Sequence, residues 1–236
     1  MKLTSEQIEI LYVFTRKHFV EWYDLQSELV DHLANSIEAG WEADPNLSFE
    51  AALQIQFQKF GIFGFTGIIE QRQKFLGKKY QKLIWTYYRE FFRLPKIVLT
   101  ALGMYGIYSI ASLFGRPEYF LFVVLILVMA FMTIGMHKRR KESELRYIQT
   151  GKKWLFETTA QNFRVLPIFI LQPAFSIFSR MINYDEPMSA LGIAISSICI
   201  TLYALLAYVQ LRILPGKILS EIRATYPVEN EIAIKV

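Results

Sequence analysis

The run YFLFVVLILVMAFMTIGM, from Tyr119 to Met136, contains no charged residue and is followed at once by HKRRK. It comes close to the ~20 apolar residues a helix needs to cross hydrocarbon, and a helix is expected because it satisfies its own backbone in lipid. Upstream, LPKIVLTALGMYGIYSIASLF (Leu94 to Phe114) has the same character and is separated from it by the short turn GRPE. These two runs make a hairpin. A second pair follows, VLPIFILQPAFSIFSRMI (Val165 to Ile182) and MSALGIAISSICITLYALLAYVQL (Met188 to Leu211), divided by NYDEP. In the third run Pro167 and Pro173 each remove a backbone donor and Gln172 is polar. This span is therefore expected to be kinked or partly re-entrant, with neighbouring helices satisfying the freed carbonyls.

Composition agrees: 53% of the 236 residues are hydrophobic, with 19 Phe and 13 Tyr, and the mean hydropathy is +0.26. The opening MKLTSEQIEI has no apolar core and no small-residue cleavage site, so no signal peptide is expected and the chain is read as starting in the cytoplasm. The single cysteine, Cys199, lies inside the fourth run and is read as a packing residue; with no second cysteine there is no intrachain disulfide or thiolate cluster.

Cations set the orientation. Lys74, Lys78, Lys79, Lys82, Arg89, Arg93 and Lys96 precede the first run, Lys138, Arg139, Arg140 and Lys141 open the segment between the hairpins, and Arg212, Lys217 and Arg223 follow the last run. The two short turns on the other side hold Arg116, Asp185 and Glu186. The positive-inside rule then places both termini and the central loop, 137–164, in the cytoplasm of a bacterial inner membrane. Lys78, Lys79, Lys82, Arg89, Arg93 and Lys138 to Lys141 are candidate contacts to lipid headgroups, which accounts for the net charge of +5. Nucleic acid is not an expected partner, since no domain presents the basic loop to it.

The first ninety residues read as water-soluble helices. Thr4 with Gln7 resembles a capping box, after which Ile8, Leu11, Tyr12 and Phe19 supply an apolar stripe. In DLQSELVDHLANSIEAGW (24–41), Leu25, Leu29, Leu33, Ile37 and Trp41 recur every four residues, while Asp24, Glu28, Asp31, Asn35 and Glu38 take the opposite arc. ADPN ends this helix, Ser48 caps a third carrying Leu53, Phe57 and Phe60, and Gly61 stands where a C-terminal glycine belongs. From Phe65 to Arg93, Trp85, Tyr87, Tyr88, Phe91 and Phe92 alternate with Lys82, Arg89 and Arg93, the pattern of a helix lying at the headgroup layer.

The fold class expected is thus all-α: a cytosolic domain of three to four helices over 1–64, a basic and aromatic juxtamembrane helix over 65–93, four membrane helices in two hairpins over 94–211, and a tail from 212. Glu28, Asp31, His32 and Glu38 are the group most like a site. Glu28 and His32 are one turn apart and can touch, but two ligands of mixed type do not make a tetrahedral metal site. The group is read as a solvated face with a boundary histidine paired with Glu28 or a neighbouring helix, and its functional alternatives are a ligand, proton-sensing or partner-contact role. No catalytic triad, Walker motif, dinucleotide loop or HExxH is present, and no cofactor is implied.

At ELVDHLANSIE and LSFEAALQIQFQKFG, residues 1–75 resemble the HAAS-type or permease-prefix helical domain that precedes membrane helices in many bacterial proteins. The resemblance rests on Glu28, Leu29, His32, Leu33, Ser48, Glu50, Ala51, Phe60 and Gly61, and the sequence departs from the pattern after Gly61, at IFGFTGII. It implies a cytosolic sensing or interaction module on a membrane anchor and implies no chemistry.

Within the runs, small residues at Ala111 and Gly115, Ala190 and Ala194, and Gly192 and Ser196 are spaced for close helix approach, within one bundle or between copies. Ionisable groups are absent from the depth of the first, second and fourth runs, and Arg180 is near the end of the third. The reading is therefore a non-enzymatic inner-membrane adaptor or regulator. Its expected partners are membrane lipid, another membrane or cytosolic protein, and a second copy of the chain. The alternative is a small transporter or permease subunit whose Pro167 and Pro173 helix lines the path.

Overall fold

The computed structural model describes residues 2–162, 177–178 and 188–226, and all regular structure in them is helical, with no strand. The helices are α1 (Ser5–Lys17), α2 (Tyr23–Ala43), α3 (Phe49–Gln58), α4 (Thr66–Arg89) with a 3-10 turn (Glu90–Phe92), α5 (Lys96–Ala111), α6 (Pro117–Thr150), α7 (Leu155–Asn162), α8 (Ala190–Tyr208), a π-helical turn (Val209–Ile213) and α9 (Leu214–Thr225). They fall into two compact units. One comprises residues up to Lys78 together with Leu145–Asn162; the other is Lys79–Glu144 with the described residues from 177 onward.

In the first unit, α2 packs against α1, α3 and α7. The four-residue repeat of α2 becomes its buried face: Leu25, Leu29, Leu33, Ile37 and Trp41 are all sequestered beside Leu11 and Leu53. The Thr4 hydroxyl accepts from the Gln7 amide at 3.3 Å and the Gln7 side chain accepts from the Thr4 amide at 2.9 Å, which completes the capping box. Ser48 caps α3 through the Ala51 amide at 3.2 Å. The Trp41 indole donates to the Leu47 carbonyl at 2.8 Å and thereby fixes the α2–α3 connection. The stripe of α1 differs from expectation, since Ile8 and Phe19 are exposed and the buried positions are Leu11 and Thr15. Phe19 lies past the helix end in the left-handed region, at φ 64°, so helical spacing no longer governs where its side chain points.

Pro117–Thr150, most of it in the second unit, and Ala190–Thr225, of 34 and 36 residues, are each long and apolar enough to cross a membrane. Thr66–Phe92 and Lys96–Ala111 meet at 81° and count as a third candidate only if the bent pair is one span. The first expected run, 94–114, therefore contains a helix of 16 residues. The third, 165–182, has only residues 177 and 178 among those described, so the expectation of four spans is not met in full by the described residues. Large apolar side chains face outward: Leu99, Leu102 and Tyr105 on α5, Val123, Leu127, Phe131 and Ile134 on α6, and Leu191 and Ile195 on α8. A soluble protein does not tolerate so continuous an apolar exterior. Ala111, Leu121, Leu125, Ile193 and Ile200 form the core between these helices.

The segment expected as a loop over 137–164 is mostly helical. α6 runs unbroken past its apolar part to Thr150, about 51 Å in all. Its charged portion, HKRRKESELRYIQT, contains no Gly or Pro and puts Lys138 and Glu142, Arg140 and Glu144, and Glu142 and Arg146 four apart, the spacing at which opposite charges support a helix. Gly151, at φ 67°, ends it. The expected tail from 212 is likewise helical to Thr225.

Close approach between helices occurs at a glycine outside the small-residue pairs singled out in the sequence. A methyl on Gly135 of α6 would lie 2.5 Å from Leu211 Cδ1 in the π-turn, whereas one on Gly106 or Gly115 would meet nothing within 4 Å among the described residues. Gly135→Val is expected to lower the melting midpoint in detergent by an amount corresponding to about 1–3 kcal/mol of overpacking, with Gly106→Val near wild type. Equal midpoints for the two variants would show that α6 and the π-turn are not in contact.

Candidate functional site

Two arrangements draw residues together in a way that bears on function. The first is the outer face of α4. Its inner face buries Leu76, Tyr80 and Ile84, one turn apart. That leaves Phe75, Lys78, Lys82, Trp85, Arg89 and Phe92 on the exposed side, at alternating steps of three and four residues. Phe75 and Trp85 are more than half exposed. An exposed stripe of aromatics and cations on a helix is what a lipid headgroup layer takes up. Lys79 is turned away from this stripe and forms an ion pair with Glu221. Tyr87 beside it receives the Lys217 ammonium at 5.7 Å.

The second arrangement joins residues far apart in the sequence, from the start of α2 and from the segment after Gly151. The segment after Gly151 folds onto the first turn of α2. The Tyr23 amide donates to the Lys153 carbonyl at 2.7 Å, and the Trp22 indole donates to the Thr158 hydroxyl at 3.2 Å. Lys153 pairs with Glu21 at 2.7 Å. The Lys152 ammonium sits 4.2 Å from the Tyr23 ring centroid, and the Tyr23 and Trp154 rings meet edge-on at 5.8 Å. At the centre, the Asp24 carboxylate accepts the Leu155 amide on both oxygens, at 3.0 and 3.2 Å. Asp24 lies in the first turn of α2 and Leu155 opens α7, so one carboxylate serves two helix N-termini. Burial raises its pKa above the ordinary value. The amides of Leu155, Leu25 and Asp24 itself, and the Arg72 charge, oppose that shift without cancelling it.

The four residues singled out on α2 do not come together. Glu28 pairs with Arg72 at 3.2 Å, Glu38 accepts the Leu3 amide at 2.9 Å, His32 is exposed with its ring 6.1 Å from Phe60, and Asp31 is exposed. Glu28 meets a cation from α4 in place of His32. Among the described residues no group of three His, Cys, Asp or Glu is placed to hold a metal. Of the cations, Lys78, Lys82, Arg89, Arg93, Lys138, Arg140 and Lys141 are exposed, whereas Arg139 donates to the Leu211 carbonyl in the π-turn. A π-turn shifts the helical hydrogen-bond ladder, and the guanidinium satisfies an acceptor there. Pro167, Gln172 and Pro173 lie outside the described residues.

Two features went unread in the sequence. The Asp24 cluster gave no local signal, because its halves are separated by the whole first hairpin. Glu118, placed in a turn by its neighbours GRP, is in the first turn of α6 and almost wholly buried, with Oε2 lacking a partner among the described residues; that helix end favours a negative charge. No family model, curated protein or solved structure matches the chain.

Asp24→Ala leaves the Leu155 amide without its acceptor and is expected to destabilise the docked segment by about 1–2 kcal/mol, speeding hydrogen exchange over 155–162 roughly 5- to 30-fold at pH 7. Asp24→Asn keeps an acceptor and should exchange more slowly than the Ala variant. Because the folded carboxyl binds its proton more tightly than the unfolded one, its contribution to stability is full below about 3.8 and is lost as pH rises through the elevated folded value. Asp24→Asn should abolish that slope. Exchange rates in both variants matching wild type would show that Asp24 does not hold the segment.

Proposed function

We propose that the chain is a non-enzymatic adaptor or regulator of the bacterial cytoplasmic membrane. In this reading it is multi-pass, with four spans in two hairpins and both termini in the cytoplasm, and α1–α3 form a domain that binds a protein partner. The observation that carries the reading is the docking of residues 152–158 on the first turn of α2. α6 leaves its apolar stretch as one unbroken helix, and its last turn and α7 belong to the same compact unit as α1–α3. These contacts tie α2 to the segment that follows α6 within one compact unit. Adaptors and regulators need such a link, and it requires no reacting groups. The cation and aromatic stripe of α4 adds a lipid contact of the kind a membrane-associated module uses. The resemblance of residues 1–75 to prefix domains points the same way.

Partner contact belongs to the exposed side of α2, where among the described residues Asp31 and His32 have no ion pair or hydrogen bond, whereas Glu28 pairs with Arg72 and Glu38 accepts the Leu3 amide. The full chain purified in mild detergent should retain a protein at fixed stoichiometry, and Asp31→Ala with His32→Ala should release it while leaving helix content and melting unchanged. Absence of any stoichiometric protein, together with solute flux in liposomes holding the pure chain, would instead favour transport.

A further inference from the structure

We infer that the end of the first unit carrying Phe19, Ile62 and Phe63 inserts into the headgroup layer of an anionic bilayer. These three side chains are 83, 94 and 75% exposed. Ile62 and Phe63 are presented by a turn whose two flanking glycines, Gly61 and Gly64, have φ of 74° and 52°, closed by the Gly64 amide on the Gly61 carbonyl at 3.1 Å. Phe19 is held at φ 64°, a conformation costly for a bulky side chain, and gains no burial within the chain in return. His18 lies tilted against Phe57 at 4.3 Å and edge-on to Phe65 at 6.1 Å, which brings the two loops to one end of the unit, and Phe14, Phe57, Phe60 and Phe65 interlock below them.

Charge identifies the occupant. Lys17 and Lys59 flank the two loops and are exposed, and no acidic residue occurs from Arg16 to Val20 or from Gln58 to Thr66. Glu21, just beyond, is engaged by Lys153. Apolar tips flanked by lysines fit acyl chains beneath anionic headgroups, whereas a cytosolic acidic partner would leave three large apolar side chains without a hydrophobic environment.

The test uses nitroxide labels on Ile62→Cys and Phe63→Cys of the full chain, with Cys199→Ser as background, in liposomes with and without phosphatidylglycerol. Leu102→Cys on α5 serves as the hydrocarbon reference and Asp31→Cys as the aqueous one. Labels at 62 and 63 should show an oxygen-to-nickel-chelate accessibility ratio several-fold above that at 31, rising with the anionic lipid fraction. A ratio equal to that at 31, or dipolar broadening showing that a second copy covers the tip, would overturn the inference whichever way position 102 reads. A water-like label at 102 would overturn the crossing of α5, while the ratio at 62 and 63 would still decide whether the tip inserts.

Discussion

The rest of the structure depends on the lack of charge between Tyr119 and Met136. Hydrocarbon offers no partner to a backbone amide, so a stretch this apolar and this long is stable there only as a helix, at about 27 Å for its length. Once that helix exists, the residues after it have a nucleus already formed. Adding a turn fixes one residue per hydrogen bond, without the cost of starting anew. Lys138 to Thr150 are good helix formers with compensating charges four apart, and they continue the rod to Gly151. What looks in one dimension like a polar loop is therefore a helix that delivers residues 152–158 to α2.

Such delivery explains why the chain's cations divide into two kinds. Some complete the fold: Lys79 on Glu221, Arg146 on Glu157, Lys153 on Glu21, and Arg139 on a π-turn carbonyl. Others, on the outer faces of α4 and α6, are left to solvent or headgroups. The net charge of +5 mixes both, and only the second kind bears on the proposed lipid contact. Exposed ion pairs contribute little each, about 0–1 kcal/mol. The docking of 152–158 therefore owes more to the half-buried Asp24 hydrogen bonds, the Trp22 indole on Thr158 and the Tyr23–Trp154 ring contact.

Legibility in the sequence followed the range of the interaction. The α2 stripe, the Thr4 and Ser48 caps and the apolar helices rest on contacts within a few residues, and period, capping chemistry and length reveal them. Phe19 has apolar spacing but lies beyond the His18 cap of α1, in a backbone conformation that spacing cannot encode. Glu28 and His32 are neighbours on one helix, yet Arg72 of a different helix takes Glu28. The pairs Ala111 and Gly115, and Gly192 and Ser196, have the spacing of packing motifs, while the close approach falls at Gly135, whose partner Leu211 is fixed by the π-turn. Asp24 meets Leu155 across 131 residues, and nothing within either segment announces the other.

The central claim is that α6 crosses a bilayer with its Thr150 end on the cytoplasmic side. Single cysteines at Arg116→Cys and Ile148→Cys, in a Cys199→Ser background, can be probed with a membrane-impermeant maleimide on intact and on lysed cells. The account predicts labelling at 116 in intact cells and at 148 only after lysis. Labelling of both positions from the same side would contradict it.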